Sequence, residues 1–119
     1  MRYLSIVKSS ENQGPPPQAL LDAIGKLTEE GLKDGSLVST GGLGQTSTGV
    51  RIRMARGKLT VTDGPFSEAK EVVGGFAILE APSRREAIEA TRHFMQLHQQ
   101  HWPSWEGEAE LRELVFLAP

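Results

Sequence analysis

Val72-Val73-Gly74-Gly75-Phe76-Ala77-Ile78-Leu79-Glu80, running straight into Ala81-Pro82-Ser83-Arg84-Arg85-Glu86, decides how this chain folds. The first stretch is continuously apolar up to Leu79, the pattern of a strand covered on both faces. Glycine inside a strand weakens it unless something approaches its backbone closely, so Gly74 and Gly75 mark such an approach. A ligand, a partner subunit or a helix packed tightly on the sheet would each serve. Ser83 and Glu86 then form a capping box, in which the serine hydroxyl accepts the N3 amide and the glutamate reaches back to the cap amide. The helix that starts there carries Ala87, Ile88, Thr91, Phe94 or Met95, and His98 on one side, and it ends before Pro103.

The same reading extends in both directions. Tyr3 to Val7 is a first strand, and Glu11 to Pro17 is a breaker stretch ending in three prolines. Proline suits a helix start, where its missing N–H has no intrahelical partner to lose. The helix that follows places Leu20, Ile24 and Leu27 on one face, and either Gly31 or Gly35 supplies its left-handed cap. Leu37 to Gly42 is a weak strand, and Gly41 to Gly49 is a loop. Val50, Ile52 and Met54 alternate with Arg51 and Arg53, the period of a half-buried strand. Lys58 to Thr62 is its hairpin mate across an Arg56-Gly57 turn. Leu111 to Leu117 is the last strand, with Leu111, Val115 and Leu117 on one face.

The order β, α, weak β, β-hairpin, β, α, β is α+β: a ferredoxin-like βαββαβ plan with an extra β-hairpin. It predicts an antiparallel sheet with two helices on one face, in a single domain over residues 1–119. Dimerisation would cover the other sheet face and explain apolar residues on both sides of its strands. A chain of 119 residues leaves much surface exposed, which favours association further.

Composition excludes several classes of function. The chain has no cysteine, so disulfides, thiolate catalysis and cysteine zinc sites are out. The net charge of −2 argues against nucleic acid as the main partner. Arg51, Arg53, Arg56 and Lys58 are the one basic concentration and read as the solvated side of the hairpin. The opening MRYLSIVKSS has too short an apolar run for a signal peptide, and no segment is long enough to span a membrane. The expected location is cytoplasmic.

Asp63-Gly64-Pro65-Phe66 lies between the hairpin and the glycine-bearing strand. Alone it is turn chemistry, with aspartate accepting backbone N–H bonds and proline fixing the exit. Extended to Val61-Thr62-Asp63-Gly64-Pro65-Phe66-Ser67-Glu68-Ala69-Lys70-Glu71 and on to Gly74-Gly75-Phe76, it closely resembles the DGPF-type branch of the YCII-related family. Met1-Arg2-Tyr3-Leu4, Val50 to Met54, the helix after Ser83 and Glu106 to Arg112 are also similar. The resemblance implies a ferredoxin-like homodimer joined sheet to sheet, as in dimeric α/β barrels, with a small-molecule cleft between sheet and helices. It also implies one alternative, a regulatory or interaction module partnered with an extracytoplasmic-function sigma factor. The YCII branch is proposed to be enzymatic, using a histidine–aspartate pair. The histidine of that pair belongs near the start of the first helix, where this chain has Pro17-Gln18-Ala19-Leu20-Leu21.

The site expected from these residues centres on Asp63, as general acid or base or as ligand anchor; the structural alternative is a turn aspartate held by nearby amides. Gly64, Pro65, Phe66, Lys70, Glu71, Gly74 and Gly75 complete the expected ligand site. Lys70 and Glu71 would line its mouth, or form a solvated turn. No cofactor and no metal are expected: His93, His98 and His101, with Glu106, match no zinc spacing. Their ordinary role is at the surface or an interface near a helix end, where the dipole favours a cation. Trp102 and Trp105 either close the cleft, meet a partner or pack under the loop. Ser5, Ser47 and Thr62 have no identifiable base beside them.

Overall fold

Arg56 and Gly57 both take positive φ, 53° and 77°. That is the requirement of a tight two-residue hairpin turn matched to strand twist. It joins β3 (Val50–Ala55) to β4 (Lys58–Asp63). Gly35, with φ of 85°, donates its N–H to the Gly31 carbonyl and closes α1 (Gln18–Asp34) in the left-handed conformation. Gly31 lies inside the helix instead, where a Cβ would press on Leu37 at 2.9 Å, so its hydrogen lets β2 (Leu37–Gly42) pack close. The remaining elements are β1 (Arg2–Ser9), β5 (Val72–Glu80), α2 (Arg84–His101) and β6 (Gly107–Glu113), with a 3₁₀ turn over Thr46–Thr48. This computed structural model describes residues 1–116 and 118.

Four strands form one sheet in the order β2-β5-β1-β6, every neighbouring pair antiparallel. Without the β3–β4 hairpin the chain reads βαββαβ, so the fold is ferredoxin-like α+β. The sheet stays open within one chain, and no closed barrel forms. Helices α1 and α2 pack on each other, α1 against β2 and α2 against β6. Beneath them Tyr3, Ala81 and Ala87 form the buried cluster, with Leu79 and Leu111 against it. Cross-strand pairing gives Tyr3, Ser5, Ala77 and Leu79 this helix-covered side. Leu4, Ile6, Phe76 and Ile78 point to the other side.

Several expectations need correction. The hairpin is not half-buried: β3 and β4 form their own two-stranded sheet, and every residue in both is exposed. The alternation is real, with Ile52 opposite Val61 and Met54 opposite Leu59, but among the described residues both faces of the ribbon are left exposed. β5 likewise has helices on one face only. The last strand starts earlier, at Gly107, and stops at Glu113; Val115 is exposed and Leu117 lies outside the described residues. In the capping box, Ser83 Oγ accepts the Glu86 N–H at 3.2 Å as expected. The Glu86 carboxylate, however, takes the Ser83 hydroxyl at 3.1 Å and not the cap amide.

Candidate functional site

The Asp63–Phe66 tetrapeptide acts first as a clasp. Gly64 N–H donates to the Gly49 carbonyl at 2.8 Å. Phe66 N–H donates to Thr46 Oγ1 at 3.1 Å. A Cβ on Gly64 would collide with the Thr46 carbonyl, so only glycine lets the two loops meet. The Phe66 ring lies against Gly49, with the Arg51 guanidinium 3.9 Å from its centroid. Arg51 also pairs with Glu68. Asp63 itself is exposed at the end of β4, opposite Val50, and its carboxylate has no hydrogen-bond partner among the described residues. Lys70 and Glu71 are exposed and line neither cleft described below.

Thr46 passes the clasp on to Glu11. The Thr46 hydroxyl donates to Glu11 Oε1 at 2.6 Å and its N–H donates to Oε2 at 2.7 Å. The hydroxyl bond, then the backbone bond, hold the Glu11 carboxyl below the ordinary carboxylate range, outweighing its partial desolvation. A chain of hydrogen bonds therefore runs from Phe66 through Thr46 to a fixed, ionised Glu11.

Glu11 lines a cleft of about 270 Å³ at one end of the sheet. Four separate segments converge there: the turn after β1 (Ser10 to Pro16), the loop after β2 (Leu43 to Gln45), the start of β5, and Trp102 with Trp105 beyond α2. Gln13 ties two of them together, exchanging hydrogen bonds of 2.8 and 2.7 Å with the backbone of Glu106. Of the residues expected at the site, Gly74 alone lines this cleft. The β1–β5 register slips there, with Val7 opposite Gly75 but Lys8 opposite Val73, leaving Gly74 as the extra residue. Bulges of this kind often re-aim backbone beside functional sites. A Cβ on Gly74 would meet open space, whereas Gly75 is closed in by the Gly41 carbonyl at 3.1 Å. The close approach expected at both glycines is found at Gly75, where strand β2 lies against it, and not at Gly74, which borders open space in the cleft.

Trp102 and Trp105 both line this cleft, which lies away from Asp63. Their rings are tilted with centroids 6.2 Å apart, and Trp105 also packs on His98 at 4.5 Å. Trp105 also borders a second hollow of about 580 Å³, along α2 past Arg92, Met95 and Gln99. It is larger but is mostly one exposed helix flank. The 270 Å³ cleft has walls from across the chain and a positioned charge, and it is the better site.

His98 is not a surface residue but a buried one, at 8% exposure, with Nδ1 placed 3.1 Å from the Phe94 carbonyl. Among the described residues no group of three or more His, Asp or Glu side chains is placed to hold a metal. Burial pushes the His98 imidazole below its ordinary 6.5, against a smaller opposing pull from the Phe94 bond. The folded state therefore favours the neutral ring. Its contribution to stability is full above 6.5 and is lost as pH falls through the lowered folded value. Urea midpoints are expected to fall between about pH 7.5 and about pH 5.5. His98→Asn, which keeps a donor for Phe94, should flatten that fall.

A family model for the YCII-related domain matches residues 1–95. The chain belongs to the YCII-related domain family. The match takes in Glu11, Thr46, the tetrapeptide and Gly74; Trp102 and Trp105 of this YCII-related chain lie past its end. A comparison with curated proteins gives no match. Among the described residues of this family member, no helix is long and apolar enough to cross a membrane.

Sequence reasoning placed Glu11 in a breaker stretch and gave it no role. The only local signal was a carboxylate just before a proline-rich turn. Its partner Thr46 lies thirty-five residues away, beyond any periodicity.

Proposed function

We propose that this YCII-related domain binds a small organic cation, a primary or quaternary amine, in the Glu11 cleft. The observation that carries the proposal is a carboxylate held ionised and oriented by two bonds from Thr46, in a cleft walled by two indoles. Glu11 is the one charged side chain among those lining the cleft, so its field is not cancelled from within. Indole faces attract cations through their quadrupole, by about 0.5–2 kcal/mol. A volume of about 270 Å³ suits a small metabolite, not a cofactor of nucleotide size. The tetrapeptide then serves ligand binding at one remove, by seating Thr46.

The test is calorimetric titration with small amines and with carboxylates of matched size. Amines should bind and raise the melting temperature by mass action, and carboxylates should do neither. Glu11→Gln should weaken amine binding at least about tenfold, about 1.4 kcal/mol, while the unliganded protein stays folded. Preference for the carboxylates, or undiminished amine binding by the Gln variant, would refute the assignment.

A further inference from the structure

Charge alone would let the Glu11 cleft take any small amine, but its walls suit one kind. Glu11 and Gln13 are half-buried while Asn12 between them is exposed, so one short segment turns both side chains inward. Thr46 holds Glu11. Gln13 commits both ends of its amide to backbone. Its Nε2 donates to the Glu106 carbonyl at 2.8 Å and to the Ser10 carbonyl at 3.3 Å, and its Oε1 accepts the Glu106 N–H at 2.7 Å. What Gln13 fixes is therefore the residue next to Trp105.

The indole wall is braced from its other sides as well. The Trp105 N–H donates to the Trp102 carbonyl at 2.9 Å, and the Trp102 N–H donates to the His98 carbonyl at 2.7 Å. The Trp105 ring packs on His98 and lies so close over Gly107 that a Cβ there would run into it. Trp102 and Trp105 are inclined by only 30°, so they present nearly parallel faces. A compact cation is attracted to such a face from within about 6 Å of the ring centroid.

Hydrogen-bond supply separates one amine from another. A primary ammonium leaving water needs an acceptor for each of its three N–H groups, and any left unpaired carries the full desolvation penalty. Around this cleft the carbonyls of Ser10, Gln45, Gly74 and Trp102 already accept, from Gln13, Thr48, Leu43 and Trp105. Each Glu11 oxygen already takes one bond from Thr46. Leu43, Val72 and Val73 add apolar wall. A quaternary ammonium has no N–H to satisfy. Its methyl groups suit apolar contact, and its charge is drawn both to Glu11 and to the indole faces.

We propose that the cleft selects a quaternary, methylated ammonium over a primary one, and that Gln13 is the positioning residue that sets this preference by holding the indole wall in place. The inference deepens the amine reading of the Glu11 cleft and rests on it.

The test titrates tetramethylammonium and methylammonium separately into the wild-type protein, followed by calorimetry and by indole emission. The chain has two tryptophans and both line the cleft, so emission reports on that wall alone. Tetramethylammonium should bind at least about tenfold tighter and change the emission. Gln13→Leu, in protein shown by its melting curve to be folded, should weaken tetramethylammonium at least about tenfold and methylammonium less than about threefold, because the latter depends chiefly on Glu11. Should that substitution unfold the chain, Trp102→Leu makes the same comparison. Methylammonium binding as tightly as tetramethylammonium overturns the selectivity and leaves the amine site standing. Equal losses of both ligands in the Gln13 variant overturn the positioning role. Binding of neither cation removes the amine reading and this inference together.

Discussion

Gly64→Ala should destabilise the protein by about 3 kcal/mol, at the upper end of what an overpacked site usually costs. The added methyl would overlap the Thr46 carbonyl oxygen and come within 2.7 Å of its carbon. Both are backbone atoms, so no rotamer change relieves the clash. The loop must move instead, and it is held by several bonds at once. Thr46 takes the Gly49 N–H on its carbonyl and the Phe66 N–H on its hydroxyl, while giving two bonds to Glu11. Urea denaturation should report the loss. Hydrogen exchange should accelerate first at Gly49 and Phe66, before the amides of β1. Amine binding at the Glu11 cleft should weaken as well, although Gly64 does not line it. Gly74→Ala is the contrast: its methyl enters open space in the cleft, so stability should change by less than about 1 kcal/mol. Equal effects from the two substitutions would mean that the tetrapeptide does not hold Thr46 in place.

Leu20→Ala should cost about 2–5 kcal/mol, the range for removing a fully buried leucine side chain. Leu20 is 1% exposed and is the one large side chain this deeply buried among the described residues. A fall in melting temperature of about 10 °C or more is expected. Leu21→Ala, next to it on α1 but 46% exposed, should cost well under about 1 kcal/mol. A similar loss at both positions would show that α1 is seated differently on the sheet.

Much of the fold was legible because its signals are local. The Pro17 helix start, the Gly35 cap, the Arg56-Gly57 turn and the Ser83 cap each depend on residues within one turn of each other. Periodicity of two or of 3.6 reports which side of an element is apolar, and that too is local. The hairpin shows where such signals stop. Alternation identified the apolar face of Val50, Ile52 and Met54, but alternation says nothing about whether the same chain covers it.

The candidate site was legible only in part, for a related reason. The tetrapeptide stood out, and the tryptophans and Gly74 were singled out, but as separate features. Asp63 drew attention as the titratable group of the motif, yet it lies exposed at the end of β4, while Gly64 and Phe66 bear on Thr46. Glu11 had no pattern around it to mark it.

By itself, then, the sequence determined the elements, their order and their caps, because backbone propensity and capping bonds are settled over a few residues. The tertiary structure alone decided that Thr46 meets Glu11, that the bulge at Gly74 faces Trp102 and Trp105, and that one hairpin face is left bare. Those outcomes depend on how distant loops are brought together by the sheet order β2-β5-β1-β6, and no short-range energy encodes them.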